Sequence, residues 1–222
     1  MAQTITLAAK DGHKLQAYRA DPAGKPRGAI VVLQEIFGVN NHMRRVTDAF
    51  AAQGYVAVAP ALFDRIEQGI DLGYDAKSVE AGRDIRGKVP LEGTLADVQA
   101  AIDYAKPFGK VGVVGYCWGG GLAFLAATRL DGVAAAVGYY GGLVAPHAQE
   151  KPRAPVMLHF GDSDQSIPMA DVEKVKQARL DATIHVYKAG HGFSCDERGS
   201  YDAASSKLAL DRTLKFFAEK MG

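Results

Sequence analysis

The sequence predicts an α/β protein built on a mostly parallel sheet, and three observations carry that prediction. Strand-like and helix-like stretches alternate through most of the chain, and parallel neighbours need crossover connections, usually helices. Runs such as Ala29-Ile30-Val31-Val32-Leu33 are continuously apolar, as expected of strands covered on both faces. The N-terminal stretch TITLAAKDGHKLQAYRA instead alternates on both sides of Asp11-Gly12. It reads as an antiparallel hairpin at one edge, with Asp-Gly supplying the positive φ angles of a tight turn.

The remaining elements follow in order. After the 29–33 strand, a helical pattern spans His42–Gln53, Gly54 stops it, and Tyr55–Ala59 is a short strand. Pro60 to Gly93 is polar and punctuated by glycine, and reads as an excursion with one short helix. Thr94 is placed to cap a helix running to about Ala105. Lys110–Val114 is a strand and Trp118–Arg129 a helix. Strands are expected at Val133–Val137, Pro155–Phe160 and Thr183–Tyr187, a helix at Asp171–Ala178, and a long amphipathic helix over Tyr201–Lys220. No repeat or low-complexity linker interrupts this order, so the 222 residues read as a single α/β domain, 1–222.

Composition narrows the function classes. The chain is 48% hydrophobic and 23% charged, with a formal net charge of +1, an ordinary globular balance. Lys and Arg are interleaved with Asp and Glu, which argues against a nucleic-acid surface. The start, MAQTITLAAKDGHKLQ, lacks the basic and apolar regions of a signal peptide. No apolar run reaches the length of a membrane span. Two cysteines, Cys117 and Cys195, make no disulfide framework. The expectation is a cytoplasmic monomer with reduced thiols, no membrane or nucleic-acid partner, no metal and no cofactor.

In a parallel sheet, sites form at the carboxyl ends of strands. Three chemistry-bearing residues sit there in turn: Cys117 after the 110–114 strand, Asp164 in HFGDSDQSIP, and His191 in YKAGHGF. Gly115-x-Cys117-x-Gly119 has the form of a nucleophile elbow with sulfur in place of oxygen. A turn that sharp strains the nucleophile's backbone and leaves no room for side chains two residues away, which explains the flanking glycines. The helix that follows offers its N–H groups to a thiolate and to a developing oxyanion. His191 is the candidate base and Asp164 its orienting acid. Each signal has a plainer reading. The pentapeptide also fits a buried cysteine in a glycine-rich turn, Asp164 competes with Asp162, and His191 fits a satisfied loop histidine. His159 and His185 lie in strands, His13 sits beside the hairpin turn, and His42 and His147 read as surface residues.

Four stretches, Gln34-Glu35-Ile36-Phe37-Gly38-Val39-Asn40, Gly115-Tyr116-Cys117-Trp118-Gly119-Gly120, Val137-Gly138-Tyr139-Tyr140-Gly141 and Gly190-His191-Gly192-Phe193, resemble the dienelactone hydrolase (carboxymethylenebutenolidase) family. The resemblance runs from the hairpin turn to the last helix. It implies an α/β-hydrolase fold without a lid domain and a small ester or enol-lactone substrate such as dienelactone. It implies Cys117 as nucleophile, Asp164 as acid, His191 as base and Glu35 as the active-site glutamate. A carboxylate beside a thiol raises the thiol's pKa and guards it from oxidation until substrate arrives. The resemblance also gives the amides of Ile36 and Trp118 as the oxyanion hole, and Phe37 and Tyr140 as pocket residues. One departure concerns substrate. Members acting on dienelactone carry an arginine four residues after the histidine, where this chain has Cys195. Arg198 lies three residues further on, a substitute that does not match by position, and Arg83 or Arg86 is placed to fill the second carboxylate-binding position; these two also fit a solvated helix face. A broader esterase or thioesterase on neutral esters is the alternative reading. A non-catalytic thiol sensor is a more distant one, since a sensor has no need of Asp164.

Overall fold

A computed structural model describes residues 2–222, which form two compact units, one ending at Gly112 and one beginning at Val113. Strands β1 (Ala2–Ala8), β2 (Lys14–Ala20), β3 (Ala29–Leu33) and β4 (Val56–Pro60) of the first unit lie in the order β1-β2-β4-β3. β1 and β2 pair antiparallel from Ala2↔Ala20 to Ala8↔Lys14, β2 pairs antiparallel with β4, and β3 runs parallel to β4. The hairpin is as the alternation predicts, but its turn is longer than two residues. It runs from Ala9 to His13, whose carbonyl accepts from the Ala9 N–H. Gly12 alone takes a positive φ, +86°. Asp11 instead accepts from the His13 N–H through its side chain at 3.1 Å, as short polar side chains do at turns.

Helix α1 (Asn41–Ala52) is capped by Asn40, whose side chain accepts from the Met43 N–H, and it buries Met43, Thr47, Phe50 and Ala51 along one stripe. His42, expected at the surface, is buried at its start. The excursion from Pro60 to Gly93 holds more order than the sequence predicts. A 3₁₀ turn at Leu62–Arg65 is followed by α2 (Ala76–Lys88), capped by Asp75. Among the α2 residues only Gly82 is buried, so the helix writes no apolar period. It is held by a close approach: a Cβ on Gly82 would stand 2.1 Å from the Ile36 carbonyl oxygen. The next helix, α3 (Leu91–Ala105), starts after Pro90 and not after Thr94. The proline ring presets φ for a helix start. Thr94 is an interior residue whose hydroxyl donates to the Pro90 carbonyl at 3.0 Å.

Arg65 ties these pieces together. Its guanidinium makes a two-pronged pair with Asp97 of α3 at 2.7 and 2.8 Å, and reaches Asp11 of the hairpin turn at 2.8 Å. The Asp97 side chain is wholly buried. Burial pushes the Asp97 carboxyl up, while Arg65 pulls it back. Removing one member of such a pair strands a buried charge. Arg65→Ala is therefore expected to lower stability by about 3–5 kcal/mol, read as a shifted urea midpoint at unchanged slope.

In the second unit the strand order is β5-β6-β7-β8. β5 (Val111–Tyr116) begins just ahead of the unit boundary, and β6 (Val133–Tyr139), β7 (Val156–Gly161) and β8 (Thr183–Tyr187) follow. β6/β7 and β7/β8 pair in parallel. Helix α4 (Trp118–Arg129) is buried over Trp118–Thr128, and α5 (Met169–Ala178) connects β7 to β8. The closing helix α6 (Ala203–Met221) buries Ser205, Ala209, Thr213, Phe216 and Phe217 on one side. Among the described residues no helix is long and apolar enough to cross a membrane.

Candidate active site

Cys117 occupies the single residue between β5 and α4, with φ 53° and ψ −114°. Positive φ strains any residue with a Cβ, so the turn must be held from outside. The Cys117 N–H donates to the Tyr139 carbonyl at 3.0 Å, and the Cys117 carbonyl accepts from the Gly120 N–H at 3.0 Å. The flanking glycine expected for an elbow has a direct steric cause. A Cβ on Gly115 would lie 1.9 Å from the Gly119 carbonyl oxygen, and one on Gly120 would lie 2.2 Å from that of Tyr139. Trp118 opens α4, so its N–H belongs to the first turn, where a helix leaves its donors without intrahelical acceptors.

The loops after β7 and β8 are bonded to each other. The Asp162 N–H donates to the Tyr187 carbonyl at 2.8 Å and the Ser163 N–H to that of Ala189 at 3.1 Å. Gly161 permits this, since a Cβ there would meet the Ala189 carbonyl oxygen at 2.2 Å. Asp164 then accepts from the Ser166 and Ile167 N–H groups through Oδ1, at 2.7 and 3.1 Å. Its Oδ2 faces His191 Nδ1 at 2.8 Å. His191 Nε2 lies 3.1 Å from Cys117 Sγ. The competing Asp162 is exposed and accepts from the Ser163 hydroxyl instead. The three residues singled out after three different strands therefore form one hydrogen-bonded line, sulfur to imidazole to carboxylate.

Burial works against a charged His191, but its hydrogen bonds and electrostatic interactions with Asp164 and Cys117 outweigh it and push the imidazole up to about 10. Such a ring holds its proton at neutral pH and presents it between a carboxylate and a sulfur.

Tyr140 is buried with its ring 5.2 Å from that of His191, and at φ 38° it is the second strained non-glycine residue. Arg198 lies against the histidine's neighbour: a Cβ on Gly192 would stand 2.6 Å from its Cδ and Nη1. Cys195 is wholly buried, in a turn whose N–H groups bind the Gly192 and Cys195 carbonyls.

Glu35, Ile36, Phe37, Arg83 and Arg86 belong to the first unit. Glu35 ends the β3 run and is wholly buried, not a surface turn. Its Oε2 accepts from the Tyr74 hydroxyl at 3.2 Å, and that hydroxyl accepts from Asn40 Nδ2 at 3.1 Å. Phe37 is buried against the same Tyr74 ring at 4.5 Å. Ile36 meets α2 at Gly82, and Arg83 and Arg86 are exposed on that helix. Tyr74 is the residue that sequence reasoning missed. It lies in the polar excursion, and the Asp75 cap directly after it was the only local signal.

Known proteins resemble this chain over nearly its whole length. The model of the dienelactone hydrolase family matches residues 15–221. A carboxymethylenebutenolidase of Pseudomonas putida is 36% identical over 229 residues, covering 98% of this chain and 97% of the relative. A crystal structure from Klebsiella pneumoniae is 30% identical, with a TM-score of 0.86 and 99% of each chain covered. A dienelactone hydrolase-like promiscuous phosphotriesterase from metagenomic libraries shares the fold at a TM-score of 0.81 and 23% identity, over 100% of this chain and 99% of that one. The fold is that of an α/β-hydrolase.

Proposed function

This chain belongs to the dienelactone hydrolase family, and on that premise we propose that it is a cysteine-dependent carboxylic-ester hydrolase acting on enol-lactones of the dienelactone type. The observation that carries the mechanism is the line Cys117–His191–Asp164 with a proton held on the ring. The Cys117 sulfur attacks the carbonyl carbon as thiolate, with the imidazolium beside it. The Trp118 amide, in the first turn of α4, holds the developing oxyanion. As the ring oxygen leaves, the carbonyl stays bound to sulfur as a thioester, and His191 passes its proton to the leaving oxygen, which neutralises the ring. An enolate is a good leaving group, which suits sulfur, itself easily expelled. The now neutral His191, oriented by Asp164, takes a proton from water, and the resulting hydroxide discharges the acyl group. The mechanism uses no cofactor. Two free thiols suit a reducing, cytoplasmic setting.

The substrate class rests on arginine. Arg198, packed on Gly192 beside His191, supports a carboxylate-binding role despite Cys195 in the family's arginine position. The test is steady-state hydrolysis of cis- and trans-dienelactone beside neutral p-nitrophenyl esters. A preference for the dienelactones supports the lactonase reading. Turnover of the neutral esters alone replaces it with a broader esterase.

The resemblance assigns Glu35 control of the thiol, so Glu35→Gln is expected to change the rate of Cys117 alkylation by iodoacetamide in the free enzyme. An unchanged rate removes Glu35 from the mechanism.

A further inference from the structure

Behind the loops carrying Asp164 and His191, a second polar line runs through the interior of β6, β7, β8 and α6. His159 stands in the middle of β7 with no exposed surface. Its Nδ1 lies 2.8 Å from the Tyr187 hydroxyl, and its Nε2 lies 3.1 Å from Thr213 Oγ1. Thr213 Oγ1 shares a further hydrogen bond with the Tyr139 hydroxyl at 2.6 Å. Arg212 Nη1 donates to the Tyr187 hydroxyl at 3.0 Å.

The direction of this line follows from the donors. Arginine only donates, so the Tyr187 oxygen accepts from Arg212. Burial keeps the Tyr187 proton on its oxygen. That proton's remaining partner among the described residues is His159 Nδ1, which must then be the bare nitrogen. The ring's own proton sits on Nε2 and is donated to Thr213. A second proton is opposed first by burial, then by His185 stacked 5.6 Å away and by Arg212.

The same residue holds the strand end beside the candidate active site. The His159 carbonyl accepts from the N–H of Tyr140 at 2.7 Å, and Tyr140 is the strained residue whose ring faces His191. Tyr139, at the far end of the line, accepts the Cys117 N–H on its carbonyl. We propose that His159 is a positioning residue: a neutral imidazole protonated at Nε2, the hub of a directed chain from Arg212 through Tyr187 to Thr213, that holds Tyr140 against His191. Its effect on turnover rests on the catalytic reading of His191 above.

The test begins on the full wild-type chain, labelled with ¹⁵N-histidine and observed by long-range ¹H–¹⁵N correlation. The expected result is an Nε2–H pattern for His159, unchanged from pH 6 to pH 8; an Nδ1–H pattern or a doubly protonated ring overturns the proposal. Tyr187→Phe and Thr213→Val then each remove one hydroxyl of the chain at nearly constant shape. Both are expected to lower kcat on p-nitrophenyl acetate by about tenfold with KM within about twofold, because misplacing reacting groups costs rate more than binding. Both are also expected to move the His191 resonances, while Thr213→Ser, which keeps the hydroxyl, restores wild-type behaviour. Folded variants with unchanged kcat and unmoved His191 signals overturn the positioning role. If the wild type hydrolysed no ester at all, the Cys117 mechanism would fall, and the tautomer and the His191 signals would still decide for or against His159.

Discussion

Cys117→Ala is expected to lower kcat/KM for activated esters by about 10³-fold or more while the protein stays folded. The magnitude follows from other hydrolases, in which loss of the nucleophile leaves only the contribution of the oxyanion hole and binding. The fold should survive because alanine keeps the Cβ, so the strain at φ 53° is neither relieved nor deepened. The backbone bonds to Tyr139 and Gly120 involve no side chain. The side-chain partner lost is His191. Esterase assays paired with urea unfolding separate the two outcomes. Turnover within a few-fold of wild type in a folded variant contradicts the mechanism.

Asp164→Asn is expected to lower kcat by about 10²–10⁴-fold, by analogy with the orienting aspartate of serine proteases. Asparagine keeps an oxygen for the Ser166 and Ile167 N–H groups but turns an NH₂ toward His191 Nδ1, which disfavours the tautomer that faces the sulfur with a bare Nε2. The variant has a second consequence. His191 is raised to about 10 in the folded protein, against about 6.5 unfolded. A raised pKa stabilises the fold fully below the unfolded value, and that stabilisation is lost as pH rises through about 10. Part of it comes from Asp164. The stability margin of wild type over Asp164→Asn should therefore be largest near pH 6 and shrink toward pH 10.5. Urea midpoints at the two pH values read it, and a margin that does not change with pH contradicts the assignment of the charge to His191.

How far the sequence reached can be read from particular residues. Cys117 and Asp164 were legible because each follows an apolar run of the kind a strand covered on both faces writes, His191 because it stands between two glycines after the last strand, and Gly115 marks a turn too tight for a side chain. The loop pattern favours Asp164 over Asp162; in the structure Asp164 Oδ2 lies 2.8 Å from His191 Nδ1, and Asp162 accepts from the Ser163 hydroxyl. Tyr74 was not legible: its partner Glu35 is 39 positions away, and a lone tyrosine in a polar stretch carries no periodic signal. α2 was legible only as one short helix somewhere in the excursion, for a related reason. It is anchored by the absence of a side chain at Gly82, so no apolar stripe records it. His159 read as an ordinary strand residue because its partners Tyr187 and Thr213 lie 28 and 54 positions away. Local pattern reveals faces and turns; it does not reveal which distant hydroxyl a buried ring will meet.

The most direct test of the central claim is to trap the acyl-enzyme. The wild-type chain is mixed with excess p-nitrophenyl acetate, quenched in acid within milliseconds, digested and analysed by mass spectrometry. The expected result is one acetyl group on the peptide containing Cys117, as a thioester that hydroxylamine removes, accumulating further when Asp164→Asn slows its discharge. Acetyl on another residue that turns over at the steady-state rate, or full ester turnover with Cys117 never modified, would contradict the account.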